Sequence, residues 1–183
     1  VLWTNMSACD AVNGSPGARR IWMKKPSTRS VPSNPGQAAK KPKGSSKLPE
    51  PGEVLNYSYL WEREYREGRD EGIKDRPVAV VLMTVSRDGL PLVHVVPFTT
   101  KEPGADDVAI EMPQAVRRQL GLSGERSWIV VSEWNRYAWP GYDTRPIPGR
   151  EPSTSYGFLP SSLLQRVLDT MVAVGIGRPV DRD

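Results

Sequence analysis

The apolar positions of the chain gather into short runs, almost all of them beyond residue 50. Val78 to Met83 is an unbroken, β-branched run between polar neighbours, the pattern of a strand buried on both faces. Arg76-Pro77 stands at its mouth. Proline is accepted as the first residue of a strand and holds the residue before it extended, which sets Arg76 at the rim of a packed sheet. Val93 to Thr100 reads as a second strand, ending in two hydroxyls, and Ser127 to Arg136 as a third that exits into polar groups. Asp88-Gly89 supplies a hairpin turn between the first two. Val54 to Trp61 is aromatic-rich and alternates imperfectly, as on a half-exposed strand, and Val108 to Met112 is a short strand. Pro113 to Leu120 predicts two helical turns, with Pro113 at the start and Gly121 as the stop. After Ser161, residues Leu163, Leu164, Val167, Leu168 and Met171 recur on one helical face, which predicts a closing helix packed on the core or on a second copy. Arg136 to Ser155, rich in proline and glycine, reads as a loop. Five or six short strands, one short helix and one C-terminal helix imply a small barrel-like α+β domain.

Composition divides the chain. Residues 1–50 hold nine basic and two acidic side chains, a charge of +7, and are rich in Pro, Ser, Gly and Lys. Such a segment buries too little surface to offset its chain entropy and is expected to be disordered, either as a basic arm or as a solvated linker. Met23-Lys-Lys-Pro offers an alternative start. The folded domain is expected over residues 51–174, with a flexible tail over 175–183. Residues 51–183 carry sixteen basic and nineteen acidic side chains, a charge of −3, so any nucleic-acid site must be a local groove and not a whole basic face. The one cysteine, Cys9, leaves no disulfide framework or cysteine-rich zinc site within the chain, and the one histidine, His94, leaves no two-histidine acid/base pair. No metal and no cofactor are expected. No apolar run approaches the roughly 20 residues that span a bilayer, and no secretory signal is visible, so the expectation is a cytoplasmic protein with no membrane partner.

Glu62 to Asp75 carries six acids and four bases immediately before Arg76. A short helix is possible there, but Gly68 and Gly72 weaken it, and the expectation is a long charged loop. Its acids would repel an anion from Arg76 unless paired or swung aside. This predicts a mobile loop that hinges at the two glycines and partly screens the arginine.

Four stretches, in order, resemble the MazF/PemK family of toxin endoribonucleases. Pro51-Gly-Glu-Val54 is similar to the family's opening turn, and Arg76-Pro-Val-Ala-Val-Val81 to its Arg-Pro-aliphatic strand. Val96-Pro-Phe-Thr-Thr100 is similar to its Val-Pro-x-Thr segment, and Val131-Ser-Glu-Trp-Asn-Arg136 to its later strand, where an acidic-Gln pair is usual. The resemblance covers roughly residues 51 to 173. It implies an SH3-like barrel, usually a homodimer, that cleaves single-stranded RNA without a metal and is held in check by a cognate antitoxin. It also implies that Arg76 and Thr99 are the active-site pair.

The residues suit that chemistry. Cleavage needs a base for the 2′-hydroxyl, charge stabilisation on phosphorus and a proton for the leaving oxygen. Arg76 offers a permanent charge and forked bonds to phosphate, and Thr99 a further donor. Each taken singly is as well read as a rim salt bridge and a strand-end threonine; together they point to function. Glu133, at a strand mouth, can act as base or can merely pair with Arg76 or Arg136. Lys74, Thr100, Asn135 and Arg136 flank these positions and are expected to bind substrate. Strand alternation places Val93, Val95 and Thr99 on one face and His94, Val96 and Phe98 on the other, so His94 is expected to be structural. Some PemK members use an Arg and an Asp as acid and base where this chain has Val130 and Ser132, which leaves its own acid and base open. The aromatic residues Tyr57, Tyr59, Trp61, Trp134, Tyr137 and Trp139 flank the same loops and are either base-stacking platforms or core. The rival expectation is a catalytically silent SH3-like module that binds nucleic acid or protein, and a third is an interaction protein that docks a partner through its charged segment.

Overall fold

The computed structural model describes residues 47–175 and 177–182. The expectations for Cys9, for Met23 and for the basic tail up to residue 46 lie outside the described residues.

The two longest strands are those the apolar runs announce, β2 (Asp75–Val85) and β3 (Pro91–Thr99), paired antiparallel about the Asp88-Gly89 turn. Before them come β1 (Glu53–Ser58) and a short helix, α1 (Glu62–Arg66). After them follow β4 (Ala109–Glu111), α2 (Gln114–Leu120), β5 (Trp128–Val130), β6 (Glu133–Ala138), β7 (Ser155–Phe158), α3 (Ser161–Ala173) and β8 (Arg178–Arg182). The eight strands form one mostly antiparallel sheet in the order β4-β5-β3-β2-β1-β7, with β6 added to β3 and β8 added parallel to β6. The sheet is not closed. The architecture is mixed α+β with few helices.

One edge of β3 serves two partners. Its first half, Leu92 to Val95, pairs with β6, and its last two residues pair with β5. Six positions separate Ile129 from Asn135, but only three separate their partners, Phe98 and Val95. The excess breaks the single strand expected over Ser127 to Arg136 at Val131-Ser132, and Glu133 starts the new strand.

Both sheet faces are covered. Val54, Ala79, Val96, Phe98 and Ile129 pack with Leu163, Val167 and Met171 of α3 and with Val116 and Leu120 of α2. The opposite face gathers Leu55, Tyr57, Tyr59, Val78, Val80, Val93, Val95 and Tyr137. The alternation expected for β3 therefore holds, with Val93 and Val95 on one side and Val96 and Phe98 on the other. His94 is structural as expected: its Nε2 lies 2.8 Å from Thr84 Oγ1, and its ring lies against Trp134, 4.9 Å between centroids. Gly121 ends α2 in the left-handed conformation that only glycine adopts freely.

Two expectations need correction. The charged segment is not a free loop. It opens with α1; Glu64 is buried and accepts from the Trp61 amide at 3.3 Å; and a Cβ on Gly72 would lie 2.2 Å from the Tyr59 carbonyl oxygen. Gly72 is there for a close backbone approach, not as a hinge. Nor are the described residues after α3 a frayed tail. Gly177, at φ +62°, sits where a Cβ would meet Ser132 O at 2.7 Å, and beyond it β8 lies along β6. Among the described residues no helix is long and apolar enough to cross a membrane.

Candidate functional site

Arg76 is the second residue of β2, and Tyr57 of β1 is its partner across the ladder. Continuing the β2–β3 register two places beyond the Val78–Pro97 pair sets Thr99 opposite Arg76. The guanidinium is half-buried under the Trp61 ring, its carbon 4.8 Å from the ring centroid. Its Nε is buried with no hydrogen-bond partner. Burial lowers the affinity of Arg76 for its proton, and Glu64 opposes this most strongly, followed by Tyr59 and, more weakly, Glu133. Thr99 Oγ1 accepts the Lys101 amide at 3.1 Å, which leaves the hydroxyl proton free to donate.

Glu133 is only 5% exposed. Its Oε1 accepts from the Tyr59 hydroxyl at 3.3 Å and from the Glu62 amide at 3.4 Å. Burial pushes the carboxyl up from 4.5 to about 7, while the Glu62 amide, Arg178 and Tyr59 pull the other way. The outcome is a carboxyl that changes charge near neutrality, as a general base requires.

Arg76, Thr99 and Glu133 line one cleft of about 460 Å³, with Trp61, Lys74 and Lys101 around them and Arg178 beside Glu133. A second cleft of about 440 Å³ shares Lys74, Arg76, Thr99 and Lys101 and extends past Thr100 to Arg150 and Tyr156. The shared four residues thus form a ridge with a depression on each side. Among ionisable side chains the second cleft is basic, with four cations to the one acid, Asp75. The first is balanced, five cations facing five acids. A local groove of positive charge therefore exists on an acidic domain. The arrangement can hold an anion on Arg76 and the Thr99 hydroxyl beside a carboxyl able to take up a proton.

Lys74 and Thr100 stand where the sequence places them, at the groove. Asn135 and Arg136 do not. Asn135 is fully buried, with its side chain clasping the Leu60 backbone through both the amide (3.1 Å) and the carbonyl (2.8 Å). Arg136 pairs with His94 across the β3–β6 ladder, and its guanidinium is held by both carboxylate oxygens of Asp181, at 2.7 and 2.8 Å. Both are structural, because strand alternation turns one into the core and the other toward β8. Of the aromatic residues, Tyr57, Tyr59, Trp134 and Tyr137 are core, and Trp61 faces the cleft. Val130 and Ser132 are also buried. Sequence reasoning missed Arg178, Lys101 and Arg150. Lys101, next to the Thr99-Thr100 pair, was within reach of the motif; the other two come from segments read as tail and loop.

Among the described residues no three or more His, Cys, Asp or Glu side chains gather as metal ligands would. No protein-family model, curated protein or solved structure matches the chain.

Proposed function

We propose that this chain is a metal-independent endoribonuclease of the MazF/PemK kind, acting on single-stranded RNA as the toxin of a toxin–antitoxin pair. The observation that carries the reading is the shared cleft of Arg76, Thr99 and Glu133, reached from three strands far apart in sequence. The SH3-like barrel, the homodimer, the cytoplasmic setting and the cognate antitoxin belong to the same proposal and rest on the motif order.

In this reading the RNA backbone lies along the Lys74–Lys101 ridge, with nucleotides in both clefts. Glu133 takes the proton of the 2′-hydroxyl, the 2′-oxygen bonds to phosphorus, and the bond to the 5′-oxygen breaks. Arg76 and Thr99 stabilise the charge that builds on the equatorial oxygens. Lys74 and Lys101 are the proton donors at hand for the leaving oxygen. The products are a 2′,3′-cyclic phosphate and a 5′-hydroxyl.

A specific observation favours a second reading, a silent SH3-like module that binds nucleic acid or protein. Apolar Val130 and buried Ser132 occupy the positions where some PemK members carry their acid and base. Incubation of the purified chain with single-stranded RNA separates the two. Cyclic-phosphate products that vanish in both Arg76→Ala and Glu133→Gln support the ribonuclease; RNA binding without cleavage supports the module. Growth arrest on induction, relieved by the neighbouring open reading frame, would tie the activity to an antitoxin.

A further inference from the structure

The C-terminal strand β8 enters the site by a route the motif does not contain. Among the described residues its pairing with β6 is the one parallel ladder, and its register sets Arg178 directly beside Glu133. The placement is tightly specified. The Arg178 amide donates to Ser132 O at 2.9 Å, and Gly177 permits the approach that any Cβ would block. Arg178 lines the same cleft as Glu133, Arg76 and Thr99. Its Nη1 lies 3.9 Å from Oε2 of Glu62, whose other oxygen is paired with Arg66. Glu62 thus divides its charge between two arginines and leaves Arg178 only partly neutralised. The backbone of that same Glu62 donates to Glu133. Helix α1 and strand β8 therefore meet at this carboxyl, one supplying an amide and the other a cation.

We infer that Arg178 is a positioning residue for the Glu133 base, delivered by β8, and that an intact C-terminal strand is a condition of the site's working at neutral pH. The inference rests on the proposed ribonuclease activity for its consequence, but not for its physical content. Glu133 is faced from the segment after β1 by Tyr59, from α1 by the Glu62 amide, from β8 by Arg178, from the stretch before β4 by Asp107, and across the cleft by Arg76. Asp107 opposes ionisation and Arg178 favours it. Removing Arg178 withdraws a stabiliser of the carboxylate and leaves burial and Asp107 in place. The midpoint of Glu133 must then rise, and the acid limb of any rate that needs its carboxylate must rise with it.

The experiment uses the full chain as parent, Arg178→Gln and Arg178→Lys, each checked for folding by its urea transition. The Glu133 carboxyl carbon, assigned through Glu133→Gln, is titrated by NMR without RNA, and cleavage of single-stranded RNA is followed across the same pH range. The expected result is a midpoint raised by about one pH unit in Arg178→Gln and restored in Arg178→Lys, with the acid limb of the rate moving alongside. At a pH below both midpoints the rate should fall about tenfold in Arg178→Gln, and an unchanged KM would separate this from lost binding. An unmoved midpoint in folded Arg178→Gln overturns the inference. So does a midpoint that moves while the acid limb stays. Absence of cleavage in the parent overturns the ribonuclease reading alone, and the NMR shift then still decides whether Arg178 sets the carboxyl.

Discussion

The Tyr59 hydroxyl donates to Glu133 Oε1 across 3.3 Å, and both groups are buried. The bond favours the carboxylate, yet burial outweighs it and holds the carboxyl near 7. The fold thus carries a strained ionisation at the centre of its candidate site. A core built only for stability would place a Gln or a Met there.

Glu133→Gln should therefore change the dependence of stability on pH. The folded protein keeps a proton up to about pH 7 that the unfolded chain gives up near 4.5. Stability from the neutral carboxyl is fully present below 4.5 and is lost as pH rises through 7. Glutamine has no proton to lose, so the variant should gain on the parent between pH 5 and 8 by on the order of 2–3 kcal/mol. Urea unfolding at the two pH values measures this, and an equal difference at both would mean the carboxyl is not shifted.

Arg76→Ala should cost about 10²–10³ in cleavage rate, the scale of one removed donor to a developing anion. Its stability loss should stay near 1 kcal/mol, since the contact with Trp61 and the attraction of Glu64 are given up while a buried, unpartnered Nε is removed. Arg76→Lys keeps the charge but not the fork and should recover only part of the rate. Full activity in a folded Arg76→Ala protein would remove Arg76 from the chemistry.

The parts of the fold legible in the sequence are those with local causes. The apolar run after Arg76-Pro77, the Asp88-Gly89 turn and the Gly121 stop each encode their own conformation. The order of Arg76 and Thr99 on adjacent strands follows from that hairpin. What could not be read depends on distant partners. Strand β8 has one buried valine between charges, so its own pattern says tail, and only the free edge of β6 makes it a strand. The break at Val131-Ser132 is invisible in an apolar run and appears only because β3 has two partners along one edge. Asn135 and Arg136 look like substrate contacts in a line of text, because adjacency hides which way each one points.

Asn135→Ala tests that correction. Losing both bonds to Leu60 leaves a buried amide and carbonyl unpaired, which should cost about 1–3 kcal/mol or more for the pair. RNA affinity of the folded fraction should be unchanged. A normal urea midpoint together with weakened RNA binding would return Asn135 to the substrate.

Cleavage should persist in EDTA and leave a 2′,3′-cyclic phosphate, because in the proposed mechanism Glu133 is the base and Arg76 meets the charge. Product ends read by periodate sensitivity and kinase labelling check this. A strict requirement for Mg²⁺ or Mn²⁺, or 5′-phosphate ends, would count against the mechanism as drawn.

The acids before Arg76 do not act as one screen. Asp70 and Glu71 line a different cleft, with Tyr142, Asp143 and Arg182, and Glu67 lies beside Arg69 at 3.9 Å. Of these acids, Asp75 lines the basic cleft and Glu62 lines the cleft with Glu133, where it pairs with Arg178. Neutralising Glu67, Asp70 and Glu71 together should therefore leave RNA affinity unchanged at low and high salt. Glu62→Gln should tighten binding a few-fold, worth about 0.5–1 kcal/mol, the scale of one partly exposed ion pair. It should also steepen the salt dependence by up to about one unit in the log–log slope, because Arg178 is released to meet a phosphate. The two variants predict opposite patterns, so RNA titrations at two salt concentrations discriminate between them. Tighter binding in the triple variant, with none in Glu62→Gln, would restore the charged segment as a single screen over Arg76.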